Sequence, residues 1–244
     1  MFGIIIIGLS LLLFLVLMIP LMLVLLLLRK LNQPLASRIS QWIVSRMLKS
    51  LFLMSGSRIE VRGLENIPKD RAVLFVSNHR SYFDILVAYG YTPKVLGFIA
   101  KAEMMRYPLL KQWMELVNCL FLDRKDMKKG LKTILQGIEQ VKSGISMWIC
   151  PEGTRVRGKG VLEMEEFKEG SFKIAEKSGC PIVPVALSGT AEIFERQMPR
   201  IKASHVVLQY GEPIYIEELK EEERKKLGAY ARGKILDMLQ STLS

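Results

Sequence analysis

The sequence predicts an α/β domain, a mostly buried mixed sheet flanked by helices, preceded by a membrane-associated two-helix segment at the N-terminus. Three observations predict it. Residues 4–28 form one uncharged run, almost entirely Ile, Leu, Val, Phe and Met. From Arg58 onward, short β-rich runs alternate with helical patterns, as in layered α/β folds. The polar motifs fall just after candidate strands, where open α/β sheets form their sites.

As a helix, the apolar run would reach about 37 Å, against a hydrocarbon core about 30 Å thick. It lacks the basic leader and small-residue cleavage site of a secretory signal, so it is read as retained. Pro20 should kink it, which leaves two geometries open: a spanning helix, or a bent one that dips into one leaflet. A charge at Leu12 or Leu25 is expected to weaken membrane retention. Arg29 and Lys30 follow, and the positive-inside tendency places the bulk of the chain on the cytoplasmic face of the cell membrane. Residues 35–54 read as an amphipathic helix. Arg38, Gln41, Ser45 and Lys49 recur at helical spacing on one side and Ile39, Ile43, Met47 and Leu51 on another, with Trp42 a candidate interface anchor. Such a helix suits the surface of an anionic leaflet or packs on the soluble domain. Residues 1–57 are therefore taken as the anchor and 58–244 as the α/β domain.

Candidate strands in that domain are 58–62, 72–77, 95–100, 118–122, 145–150, 182–187 and 205–210. Helical segments include 127–142 and 171–178, and the charge-dense stretch 217–226 reads as a solvated helix. The 244 residues suit one compact domain plus an appendage, and 35 basic against 24 acidic residues give a net charge of +11. That excess implies an anionic partner without choosing between nucleic acid, membrane and phosphorylated substrate. Cys119, Cys150 and Cys180 form no CxxC pair, which argues against a disulfide framework. With only His79 and His205, an HExxH zinc site is excluded, and the absence of a Gly-x-Ser-x-Gly elbow disfavours a serine hydrolase. The run from Gly153 to Lys159 fits most of a Walker A loop, but Gly160 stands where Ser or Thr should hold magnesium.

Two motifs carry chemistry. Asn78-His79-Arg80-Ser81-Tyr82-Phe83-Asp84 follows the 72–77 strand. Residues five apart are rotated by about 140° net on a regular helix, so His79 and Asp84 share no face of one. They meet if His79 lies in the turn and a helix starts near Ser81. An Asp that accepts from one imidazole nitrogen fixes the tautomer and leaves the other nitrogen free as a base. Ser81-x-x-Asp84 also matches a capping box, in which Asp84 merely closes a helix end and His79 is an ordinary turn histidine. Both readings stand on spacing alone. Pro151-Glu152-Gly153-Thr154-Arg155 follows the 145–150 strand: Gly permits a tight turn and Arg a planar fork for phosphate oxygens, or the segment is a plain surface turn.

Together these residues resemble the glycerolipid acyltransferase family, within it the 1-acyl-glycerol-3-phosphate acyltransferases of the bacterial PlsC type. The His79-to-Asp84 segment looks like the first block, His-x4-Asp. Leu120-Phe121-Leu122-Asp123-Arg124 looks like the second; Pro151 to Arg155, with Phe167-Lys168-Glu169-Gly170 downstream, like the third; and Ile182-Val183-Pro184-Val185 like the fourth. The resemblance covers roughly residues 58–210. It implies that a fatty acyl group passes from acyl-ACP or acyl-CoA to the sn-2 hydroxyl of lysophosphatidic acid, making phosphatidic acid in phospholipid biosynthesis. His79 would be the general base and Asp84 its orienter, with direct attack on the thioester and no acyl-enzyme, metal or organic cofactor. Arg124 and Arg155 would hold the acceptor phosphate with help from Lys101; Glu152, Gly153 and Thr154 would shape that pocket; Ser81 and Pro184 would support it. The partners implied are lysophosphatidic acid, an acyl carrier protein or CoA thioester and membrane lipid, not nucleic acid. Arg80 stands where the lysophosphatidic-acid branch often has Gln, so glycerol-3-phosphate or another lysophospholipid stays open as acceptor. A non-catalytic protein that binds anionic membranes is the reading from another class.

Overall fold

The computed structural model describes residues 2–157 and 160–243. The chain begins with α1 (Phe2–Leu17), α2 (Ile19–Leu31) and α3 (Gln33–Leu53). The first two meet at a 58° bend. The break falls at Met18, two residues before Pro20, because proline has no N–H to donate and its ring obstructs the preceding turn. Helix α2 restarts with Pro20 in its first turn, where a missing N–H costs nothing. Three helices, not the expected two, therefore precede the sheet. Among the described residues no single helix is long and apolar enough to cross a membrane; the bent α1–α2 pair reaches that threshold only together, by length and composition. In α3, Gln41 is buried and not on the polar face expected of it, whereas Trp42 is 63% exposed beneath the Arg46 guanidinium.

The α/β part runs β1 (Arg58–Arg62), β2 (Leu74–Ser77), α4 (Phe83–Tyr91), β3 (Leu96–Lys101), α5 (Pro108–Leu116), β4 (Leu120–Leu122), α6 (Met127–Lys142), β5 (Ser146–Ile149), α7 (Lys173–Ser178), β6 (Ile182–Ser188), β7 (His205–Tyr210), α8 (Glu221–Arg224) and α9 (Leu227–Leu243). The seven strands form one sheet in the order β1-β7-β6-β2-β5-β3-β4. All neighbours are parallel except β6 and β7, so the sheet is mixed, as predicted. Strands β2, β5 and β6 are apolar along nearly their whole length because helices cover both of their faces.

On one face, Phe75, Trp148 and Phe98 stack across three adjacent strands, with centroids 5.1 and 5.4 Å apart, under α1, α3 and α4. On the other, Leu74, Met147 and Ile182 pack with Ile174 of α7 and Ile235 of α9. Helices α3 and α4 approach closely at Gly90, where a Cβ would lie 3.2 Å from Lys49 Cβ. The predicted helix at 217–226 is instead a 3-10 turn followed by the four-residue α8. The long α9 was not foreseen, although its buried ridge, Leu227, Ala231, Ile235 and Leu239, is spaced every four residues.

Candidate active site

Strand β2 delivers the chain to a turn at its C-terminal end. Asn78 pins that turn to β6: its amide donates to the Leu187 carbonyl at 2.8 Å and accepts from the Leu187 N–H at 2.9 Å. Helix α4 starts at Phe83, which sets Asp84 in the first turn. From there Asp84 reaches back, placing Oδ2 2.8 Å from His79 Nδ1. The same oxygen accepts from the N–H groups of Arg80 at 2.7 Å and Ser81 at 2.8 Å, while Oδ1 accepts from the Thr190 hydroxyl at 2.6 Å. Asp84 thus closes the helix end and binds the imidazole at once, so the two readings of the spacing coexist. An ionised carboxylate only accepts, so Nδ1 carries the ring hydrogen and Nε2 is left as an acceptor. Nε2 makes no hydrogen bond to a described residue, and His79 lines a cavity.

The loop after β5 supports the same turn from behind. Glu152 Oε1 accepts from the His79 backbone N–H at 2.7 Å, Oε2 accepts from Glu165 N–H at 3.1 Å, and Val156 N–H donates to the His79 carbonyl at 2.9 Å. Burial pushes the Glu152 carboxyl up to about 7. Gly153 has φ +81°, a left-handed conformation that favours glycine, and a Cβ there would lie 3.1 Å from both Arg124 Nη1 and Lys168 Nζ. Two cations therefore converge over a bare backbone. Neither they nor Lys101 makes an ion pair with another described residue. Arg155 differs: its guanidinium bonds Glu195 at 3.1 Å and stacks 3.5 Å over the centre of the Tyr82 ring.

The cavity holds about 710 Å³. Its cationic wall is Lys101, Arg124 and Arg155, grouped with His79 and Gly153, and the rest is mostly apolar, including Ile7 and Leu11 of α1, Met47 and Leu51 of α3, and Trp113 of α5. Of the residues expected at the site, His79, Lys101, Arg124, Gly153 and Arg155 meet at this cavity. Ser81, Asp84 and Glu152 are buried behind the wall. Thr154 is exposed and does not line it. Pro184 projects to the opposite side of the sheet, where a Cβ on Gly211 would lie 2.9 Å from its Cγ. Arg80 is buried, donates to the Glu163 carbonyl at 2.9 Å and does not line the cavity, so it is not placed to read an acceptor. Of the Walker-like run, Gly158 and Lys159 lie outside the described residues. Thr190 and Glu195 also reach the site, from more than 100 residues away and without a motif that marks them in the sequence, and Lys168 joins Arg124 over Gly153.

An acyltransferase family model matches residues 58–188. The 1-acyl-sn-glycerol-3-phosphate acyltransferase of Saccharomyces cerevisiae is 31% identical over 207 residues, 84% of this chain and 66% of that protein. The protein of the same name from Borreliella burgdorferi is 30% identical over 207 residues, 84% of this chain and 80% of its own length. The chain thus spans about two thirds of the yeast relative's length. The crystal structure of the 1-acyl-sn-glycerophosphate acyltransferase PlsC from Thermotoga maritima superposes with a TM-score of 0.82 at 25% identity, covering 100% of this chain and 95% of that one.

Proposed function

This chain belongs to the acyltransferase family, and from that membership we propose that it moves a fatty acyl group from a thioester of acyl carrier protein or CoA to the sn-2 hydroxyl of lysophosphatidic acid, making phosphatidic acid. One observation carries the reading: an imidazole held by a buried carboxylate opens on a largely apolar cavity whose polar wall is cationic. The apolar wall suits a fatty chain, and the cations suit a phosphate.

The acceptor hydroxyl gives its proton to His79 Nε2 as its oxygen bonds to the thioester carbonyl carbon. Asp84 stabilises the imidazolium that forms. The C–S bond then breaks, and the departing thiolate takes the proton back from His79. The Nδ1 hydrogen stays on the Asp84 side throughout. Because the acceptor oxygen attacks the thioester directly, the proposed path has no acyl-enzyme and uses no metal or organic cofactor beyond the thioester. Arg124 over Gly153, with Lys101, holds the acceptor phosphate by charge-assisted hydrogen bonds, and Lys168 adds its charge from the exposed side of Gly153.

The enzyme works at the cell membrane, with its α/β part on the cytoplasmic face. The outer sides of α1 and α2 support this, since Leu9, Leu12, Leu13, Leu17, Leu23 and Leu27 are all more than half exposed, and so contiguous an apolar face fits a bilayer better than water. The test is acyl transfer from labelled acyl-ACP and acyl-CoA to lysophosphatidic acid, glycerol-3-phosphate and lysophosphatidylcholine in mixed micelles. Phosphatidic acid as the dominant product bears the reading out. Preferred acylation of glycerol-3-phosphate moves the acceptor, and vesicle binding without any transfer overturns the enzymatic reading.

A further inference from the structure

Glu195 takes no part in the steps above, yet its carboxylate is 5% exposed and fully engaged. Oε2 accepts from the Ser81 hydroxyl at 2.5 Å, and Oε1 accepts from Tyr82 N–H at 2.8 Å and from Arg155 Nη1 at 3.1 Å. The buried backbone N–H groups of the turn that leads into a helix need partners outside that helix. At the start of α4, Arg80 and Ser81 N–H go to Asp84, Phe83 N–H goes to Ser81 Oγ at 3.0 Å, and Tyr82 N–H goes to Glu195. Two carboxylates therefore grip one turn: Asp84 from the side of the imidazole, Glu195 from the other. The field of the helix N-terminus favours both. Glu195 also commits the charge of Arg155 and holds its guanidinium flat on Tyr82.

We propose that Glu195 is a positioning residue for the acyl transfer: through Ser81 and Tyr82 it fixes the turn that carries His79, and through its ion pair it makes Arg155 a rigid cavity wall instead of a free ligand for the acceptor phosphate. This rests on the function proposed above only for its kinetic consequence; the geometry is testable without it.

The chain has two histidines, so [15N]histidine NMR of the full chain in detergent resolves His79 from His205. In the wild type the Nδ1–H of His79 gives a downfield, slowly exchanging signal. Glu195→Ala is expected to broaden or abolish that signal and leave His205 unmoved, while Glu195→Gln, whose amide oxygen still accepts from Tyr82 N–H and whose NH2 can donate to the Ser81 hydroxyl, retains it. In the transfer assay, Glu195→Ala should lower kcat at least tenfold with acceptor KM within threefold of wild type, and Glu195→Gln should recover kcat to within about threefold. A Glu195→Ala protein whose His79 signal is unchanged, or whose kcat per folded molecule matches wild type, overturns the proposal. If Glu195→Ala does not fold, Glu195→Asp, whose carboxylate is one methylene too short to keep all three bonds, is read the same way. Should the wild type transfer no acyl group, the spectra still decide the positioning role, and the failure belongs to the reaction assigned.

Discussion

Asp84 accepts four hydrogen bonds while 2% exposed, which leaves its carboxylate one orientation and the His79 ring one tautomer. An amide there must turn its NH2 toward donors, so Asp84→Asn is expected to lower kcat by about 10²–10⁴-fold with little change in acceptor KM, as measured in steady-state assays. Glu152 makes a different prediction. Its folded pKa of about 7 lies above the ordinary 4.5, so proton uptake favours the folded state. That contribution is fully present below the unfolded value and is lost as pH rises through the folded one. Relative to Glu152→Gln, the wild type should lose about 3 kcal/mol of stability between pH 4.5 and pH 8, read from denaturant unfolding at both ends. Parallel pH profiles would refute this. At this scale the sequence exposed His79 and Asp84 because their block, five residues apart after a strand, resembles the His-x4-Asp block of a known family, while spacing alone left the capping reading open. Thr190 and Glu195 were hidden because a contact across more than 100 residues leaves no mark on local spacing.

The N-terminal helices separate two residues that look equivalent in sequence. Leu12 is 56% exposed on the outer side of α1, whereas Leu25 is 2% exposed and packs with Trp113 and Leu116 of α5. Leu12→Lys should therefore reduce flotation with anionic vesicles and leave the melting temperature nearly unchanged. Leu25→Lys should lower the melting temperature, because a charge would be buried without a partner. Equal effects of the two on flotation alone would contradict the packing seen here. Periodicity made these helices legible as apolar, but it does not say which side of an all-apolar helix meets protein. Helix α6 was legible to its ends because Asp126 caps it, accepting from Lys128 and Lys129 N–H, and its apolar ridge keeps a 3.6 period. The stretch 217–226 misled because charge density says a segment is solvated, not how many turns it makes.

Across the whole molecule, the N-terminal helices and the α/β part share the cavity, with α1 and α3 on one side and His79 on the other. Under the proposed function, the fatty chain would then be measured by residues of α1 and α3. A bulky side chain on α3, as in Leu48→Trp, should shift the preference toward shorter acyl donors with kcat retained for those, read by competition among thioesters of graded length. The seven strands were legible one by one from β-rich runs. Their order was not, since β1 pairs with β7 across 147 residues and only three-dimensional packing selects that neighbour. Nor was the cavity, which exists only once the helices of residues 2–53 fold back over α4 and β3. Whether His79 acts as base at this cavity is decided by single-turnover acyl transfer to lysophosphatidic acid with wild type and His79→Ala at equal folded concentration. If it does, the wild type makes phosphatidic acid and the variant is slower by about 10³-fold or more; phosphatidic acid formed by His79→Ala at the wild-type rate would show that His79 is not the base.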